Sequence, residues 1–276
     1  MSAWDTRALR VAASTALAVV SVAACTASTE EAPVTGAATP ENETIHVEPT
    51  PRPGDPGPGP GIASDSGAPA ADAGVDAGPP AVTAAALLAK AQGCAKKVSS
   101  APYAKDSGGT ANIDVCALVG AVFWTADMDI DCDGKSSAVC NKSTDPSYQA
   151  QTATTDSKGE YLDAATLPYV VVPGVSSRWD YKTSGVAMGS VVAVVYNGKV
   201  EYGIMGDIGP TSIIGEASYA MAQKLGINPN PASGGVSSGV TYIVFTGPTG
   251  TVKKKEDHAE ARAVGLARAQ KLLAEN

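Results

Sequence analysis

The stretch "GSVVAVVYNGKVEYGIMGD", Gly189 to Asp207, decides the fold. On both sides of Asn197 and Gly198 the chain is rich in β-branched and aromatic residues, the composition of a half-buried pleated strand. Asn-Gly accepts the positive φ that both central positions of a type I′ turn require. Ser190 to Gly206 is therefore expected as one antiparallel hairpin, with Asp207 directly after it. Strand signals of the same kind recur outward from this point in "AVFWTADMDID", "YVVVPG" and "GVTYIVFTG", each bounded by glycine, proline or asparagine.

Helical spacing is confined to three places. "TAAALLAKAQG" (Thr83 to Gly93) has helix formers and a terminal glycine. In "EASYAMAQKLG" the residues Ala217, Ala220, Met221, Lys224 and Leu225 follow a rhythm of three and four, and Gly226 closes it. That helix is expected to open at or near Glu216. The last segment, "KKKEDHAEARAVGLARAQKLLAEN", is helical by composition, with an apolar line at Val264, Leu266, Leu272 and Leu273, and Gly265 weakens it. The expected fold is mainly β, a closed or half-closed β-barrel over residues 84–251 with one short internal helix. A C-terminal helical tail over residues 252–276 either packs on it or stays solvated.

The first third cannot build a core. Residues 1–24 place Arg7 and Arg10 ahead of the apolar run "VAASTALAVVSVAA", too short for a comfortable membrane span and suited to a secretory signal peptide. The run ends in "VAAC", Val22 to Cys25, which resembles a bacterial lipobox. Cys25 would then carry the lipid; ordinary secretion with cleavage nearby is the alternative. Residues 25–82 are dominated by proline, glycine and alanine with no aromatic residue, the composition of a mobile spacer.

Residues 1–83 carry 3 basic and 10 acidic groups, residues 84–251 carry 11 and 14, and the tail carries 6 and 4. Most of the formal net charge of −8 thus belongs to the leader and spacer, and no basic stripe suggests nucleic acid. Beyond Cys25 the cysteines are Cys94, Cys116, Cys132 and Cys140. An even count in an exported domain suggests two disulfides, for which Cys132 with Cys140 and Cys94 with Cys116 is the pairing expected among three. Zinc is disfavoured, since no CxxC pair occurs and the histidines, His46 and His258, lie outside the core segment.

Chemistry could reside in two acids of "YGIMGDIGPTSIIGEASYA". Asp207 follows a strand in a glycine-bounded turn, and Glu216 stands where a helix is expected to begin. Two carboxylates without a nucleophile–histidine pair are the equipment of glycoside hydrolysis, in which one protonates the leaving oxygen and the other activates water. Taken singly, each also suits a structural role, as an Asx-turn residue and as a helix cap. A second cluster lies in "TADMDIDCDG", where Asp127, Asp129, Asp131 and Asp133 alternate with Met128, Ile130 and Cys132 and would share one strand face. Like charges so spaced call for a counter-charge, either a polycation or a metal. "DIDCDG" matches the opening of an EF-hand loop, but the twelfth position is Cys140 and no flanking helices are evident, so calcium is the minority alternative beside a plain solvated face. Of the tryptophans, Trp124 reads as core, and Trp179, in the loop-like "SSRWDYK", is a candidate platform for a sugar ring.

Taken together, "FWTADMDIDCDG", "LPYVVVPG", "GSVVAVVYNGKVEYGIMGDIGPTSIIGEASYAMAQKLGINPNP" and "GVTYIVFTG" resemble the chitosanases of glycoside hydrolase family 75 over about residues 112–247. The resemblance leaves out the signal, the spacer and the C-terminal helix. It implies an endo-acting, inverting hydrolase of β-1,4-linked glucosamine chains that uses no cofactor. Its catalytic aspartate falls on Asp207 and its catalytic glutamate on Glu216, with an acid-lined cleft that accommodates the Asp127 to Asp133 strand. Glu216 is assigned as acid and Asp207 as base. A glutamate at a helix N-terminus would be held ionised, which opposes that assignment unless burial or neighbouring acids raise its pKa. "YGIMGDIGP" followed by "GEAS" is similar to the strand, turn and short helix of double-psi β-barrels, an analogy of fold only. The implied partner is chitosan, a cationic polysaccharide, met by a monomer that touches membrane only through its lipid. The rival classes are a carbohydrate-binding barrel without turnover and a calcium-dependent surface lipoprotein.

Overall fold

The computed structural model describes residues 81–276; the expected signal peptide, Cys25 and nearly all of the spacer lie outside the described residues. The described residues form seven strands: β1 (Cys116–Leu118), β2 (Ala121–Asp131), β3 (Tyr169–Pro173), β4 (Val191–Tyr196), β5 (Lys199–Gly209), β6 (Glu216–Ser218) and β7 (Val236–Phe245). Six of them close a barrel in the order β2-β6-β3-β5-β4-β7, because β7 returns to pair with β2, while β1 adds antiparallel to β2. Pairing is mixed: β2 with β6 and β3 with β5 run parallel, the rest antiparallel. The expected barrel is thus present and closed, and closure removes the free strand edges that an open sheet would expose.

The hairpin forms as read. Asn197 and Gly198 take φ of 45° and 75° between β4 and β5, and Tyr196 pairs with Lys199. The strand beyond it is longer than expected, since β5 runs through Asp207 to Gly209, paired with Pro173 of β3. Asp207 therefore stands in a strand and not in a turn.

Alternation along the strands divides the apolar residues between the two sides of the barrel wall. Val122, Trp124, Met128, Val170, Val192, Met205, Ala217 and Tyr242 belong to one cluster, and Phe123, Tyr169, Val171, Val191, Ala193, Ile204, Ile243 and Phe245 to the other. The helices α1 (Ala84–Lys90), α2 (Tyr219–Leu225) and α3 (His258–Glu275) complete the packing. Ser218 caps α2, accepting from Met221 N at 3.2 Å, and also accepts from Tyr169 N at 3.0 Å and donates to Leu167 O at 2.8 Å. One buried hydroxyl thus fixes the helix start against β3. The helix begins three positions later than the spacing suggested, and Glu216 to Ser218 form a strand instead.

The C-terminal helix packs on the barrel and does not stay solvated. Its buried face is Ala261, Gly265, Ala269 and Leu272, whereas Leu266, expected on the apolar line, is exposed. Small residues set this face because the helix lies against Tyr202 of β5, whose ring a Cβ at position 265 would overlap. His258 and Arg262 of the helix contact the buried carboxylate of Glu201 at 3.1 and 3.4 Å. Disulfides join Cys94 with Cys116 and Cys132 with Cys140, the expected pairing. Two such bonds fit a domain that matures in an oxidising, exported compartment. No described helix is long and apolar enough to cross a membrane.

Candidate active site

A single cross-strand row organises the site. Asp129 of β2 pairs with Glu216 of β6, Glu216 pairs with Val171 of β3, and Val171 pairs with Asp207 of β5. Partners in register project to the same side of a sheet, so Glu216 and Asp207 flank Val171 on the same side of the wall. Two strand spacings separate their Cα atoms by about 9–10 Å.

Asp207 reaches this side because of a bulge. Val170 pairs with Met205 but Val171 pairs with Asp207, so Gly206 is an extra residue in β5. Without it, alternation from Met205 would send the aspartate to the opposite side of the wall. Gly206 also lies where a Cβ would come within 2.7 Å of the Tyr169 side chain, so only glycine fits the bulge.

The two acids sit in different electrical surroundings. Asp207, 7% exposed, accepts from Ala153 N and from Ile208 N, both at 2.7 Å, through Oδ1. Burial raises its pKa, and these two amides pull it back. Among the described residues no donor lies within hydrogen-bond reach of the Glu216 carboxyl. Burial, then the charges of Asp129, Asp133, Asp207 and Asp127, push it up to about 7. Because Ser218 and not Glu216 caps the helix, the dipole objection to a protonated Glu216 falls away.

Both acids line a cavity of about 370 Å³ together with Asp131, Asp133, Asp145 and Gln149. A neighbouring cavity shares Glu216 and Asp145 and adds Asp129 and the Pro231–Gly234 turn, and a third shares Asp129 and Gly234 and adds Asp127 and Asp106. The result is one acid-lined groove that runs past Glu216. Along β2 the expected alternation holds in part: Met128 is buried in the apolar cluster while Asp129 and Asp131 line the groove, but Ile130 lines the groove as well as packing on that cluster, and Asp133 lies beyond the end of the strand.

The carboxylates nevertheless divide into two triads, Asp131, Asp133 and Asp207, and Asp106, Asp127 and Asp129, each with oxygens within 4.8 Å of one another. In the first triad each acid is satisfied in part by a backbone amide: Asp131 by Asp133 N, Asp133 by Gln149 N, Asp207 as above. Burial still holds the Asp131 pKa well above the ordinary range and pushes Asp133 up to about 6. The EF-hand alternative fails on geometry. Asp129 and Asp131 lie on a strand, the triads separate Asp129 from Asp131 and Asp133, and no helix flanks the segment.

Trp179 is not brought to the groove. It is 3% exposed, donates to Ser184 Oγ at 3.0 Å and packs edge-on against Trp124 and Tyr181, so its indole is core and offers no face to a sugar. Sequence reasoning missed Asp145, Gln149 and the Ala153 amide, which come from the long connection between β2 and β3. Polar residues in a connection carry no periodicity by which a groove contact could be told from solvent exposure.

Residues 128–273 match the family described as fungal chitosanase of glycosyl hydrolase group 75. The match takes in most of α3, so the C-terminal helix lies inside the family region and not beyond it. An endo-chitosanase B of Aspergillus oryzae is 36% identical over 135 residues, covering 46% of this chain and 56% of that protein. An endo-chitosanase of Aspergillus oryzae is 38% identical over 143 residues, 48% of this chain and 58% of the relative. One from Aspergillus fumigatus is 33% identical over 160 residues, 52% and 67%. The chain spans between about half and two thirds of the length of these relatives. With the match covering more than half of its length, the chain belongs to the glycosyl hydrolase group 75 chitosanase family.

Proposed function

We propose that this chain is an endo-acting chitosanase that hydrolyses β-1,4 linkages between glucosamine units with inversion. Glu216 serves as general acid and Asp207 as general base. The observation that carries this reading is the placement of two acids on either side of Val171, one with its carboxyl pKa near 7 and the other held by two amides. A carboxyl that keeps its proton near neutrality can protonate a glycosidic oxygen. One whose charged form is stabilised by N–H donors can accept a proton from water. A Cα separation of about 9–10 Å leaves the carboxyl groups room for the water that inversion requires, for which the usual span is about 6.5–9.5 Å.

The substrate class follows from charge. The groove presents Asp129, Asp131, Asp133 and Asp145 beside the acids, a surface that favours a sugar chain carrying protonated amines over its neutral acetylated counterpart. The names of the relatives, endo-chitosanases, support the same class. Residues 84–251 would form the catalytic body, with the helical tail as its buttress. In the same reading the protein acts as a monomer without nucleic acid, exported and lipid-anchored through Cys25, with residues 25–82 as tether.

Incubation of the full chain with chitosan and, separately, with chitin tests the proposal. New reducing ends and falling viscosity are expected with chitosan, and far less with chitin. Binding to chitosan without new reducing ends would replace the enzyme by a carbohydrate-binding barrel.

A further inference from the structure

We propose that Asp106, Asp127 and Asp129 form a divalent-cation site at one end of the acidic groove, of a chemistry suited to calcium. Their carboxylate oxygens converge within 4.8 Å from two separate parts of the chain, β2 and the exposed turn at Lys105 to Gly109. Asp127 supplies a second, independent observation. It is 4% exposed, and its Oδ1, packed against Gly215, has no hydrogen-bond partner among the described residues. A buried carboxylate oxygen without a donor is costly unless a cation or a proton meets the group.

The other acidic triad shows what the protein does when it satisfies carboxylates itself. There, backbone amides of other residues reach Asp131, Asp133 and Asp207, whereas among the described residues none reaches the Asp106 or Asp129 carboxylate and Asp127 is met only by its own amide, its Oδ1 left bare. Among the described residues, the lysine beside the triad does not fill the role. Lys105 lies 3.9 Å from Asp106 Oδ2, half exposed, and its Nζ is turned to Ser237 O at 3.4 Å. Three carboxylates offer up to six hard oxygen ligands with no sulfur or nitrogen, a donor set that suits calcium or, with more retained water, magnesium. A cation bound there would pin the Asp106 turn to β2 beside Asp129, the cross-strand neighbour of Glu216.

Titration of the chelator-stripped full chain with calcium chloride tests the site by calorimetry and by thermal melting in parallel. The expected result is one ion per chain, a melting temperature that rises with calcium, and at least tenfold weaker binding in Asp127→Asn and in Asp106→Asn. Asp106 is exposed, so its variant keeps the test valid should Asp127→Asn fold poorly. Absence of binding at millimolar calcium overturns the proposal. So does equal binding in the parent and both variants, which would put the ion elsewhere, or protection by glucosamine oligomers but not by calcium, which would make the triad an ammonium subsite. The readouts are independent of hydrolysis, so this inference and the chitosanase reading can fail separately.

Discussion

Asp207 and Glu216 stand opposite the same residue, Val171, on the two strands that flank β3. The shared partner fixes their separation through backbone hydrogen bonding and not through flexible loops, which is the rigidity that a two-carboxylate mechanism needs. Replacing either carboxyl by its amide keeps shape and removes proton transfer. Glu216→Gln and Asp207→Asn are each expected to lower kcat on chitosan by about 10²–10⁴. Their circular dichroism should remain that of the parent, and proton NMR of the parent's fresh products should show the inverted anomer first. Full activity in both variants would remove these residues from the chemistry.

With Glu216 as the proposed general acid, its pKa is expected to set the alkaline limb of activity. Burial raises it most, followed by the charges of Asp129, Asp133, Asp207 and Asp127, to about 7. A general acid at this position would lose its proton as pH passes that value, so kcat/KM should fall above about pH 7. Asp133→Asn removes one of the repelling charges and should move this limb to lower pH; since Asp133 also lines the groove, the height of the profile should fall as substrate binding weakens, and the position of the limb is the readout. A limb that stays in place would mean that another group governs it.

Stability should respond to the same groups. In the unfolded chain Glu216 ionises near its ordinary value of 4.5, in the folded protein near 7, and Asp133 shifts from 3.8 to about 6. The native state therefore binds more protons between these limits, so stability is fullest at low pH and declines as pH rises through this window. Thermal melting is expected to show a higher midpoint near pH 5 than near pH 8. Glu216→Gln, which cannot ionise, should flatten that slope and raise the midpoint at pH 8 above that of the parent. The opposite order would show that the acid cluster is relieved by solvent or ions.

Much of this architecture is legible in the chain itself, for identifiable reasons. The strand over "AVFWTADMDID" runs Ala121–Asp131 as read, since its β-branched and aromatic residues carry the composition of a strand, buried over most of its length on both sides of the wall. The Asn197-Gly198 turn is a local signal, and both disulfides close between cysteines near in sequence. What escaped detection depends on distant partners. Glu216 reads as a helix opener, but three residues become a strand because β2 and β3 offer pairing on both sides, and the cap passes to Ser218. The bulge at Gly206, which turns Asp207 to the groove, is set by the register with β3, and a glycine in a strand pattern signals a bulge only in general terms. Trp179 sits in a loop-like segment, yet Trp124 and Tyr181 enclose it.

Gly265 provides a test in which local propensity and tertiary packing predict opposite signs. Alanine in place of glycine inside a helix ordinarily stabilises by about 1 kcal/mol. Here the helix face at Gly265 lies against Tyr202, and a Cβ would overlap the ring. Tyr202 is itself buried in β5, between that helix and the barrel, one residue from Glu201, which binds His258 and Arg262. The ring has little room to retreat without disturbing that contact, and overpacking of this kind costs about 1–3 kcal/mol. Gly265→Ala is therefore expected to lower the denaturation midpoint, whereas Ala263→Gly, on the exposed side of the same helix, should lower it by propensity alone, about 1 kcal/mol. Urea unfolding of both variants checks the comparison. A Gly265→Ala protein more stable than the parent would show that α3 can shift away from β5 without penalty.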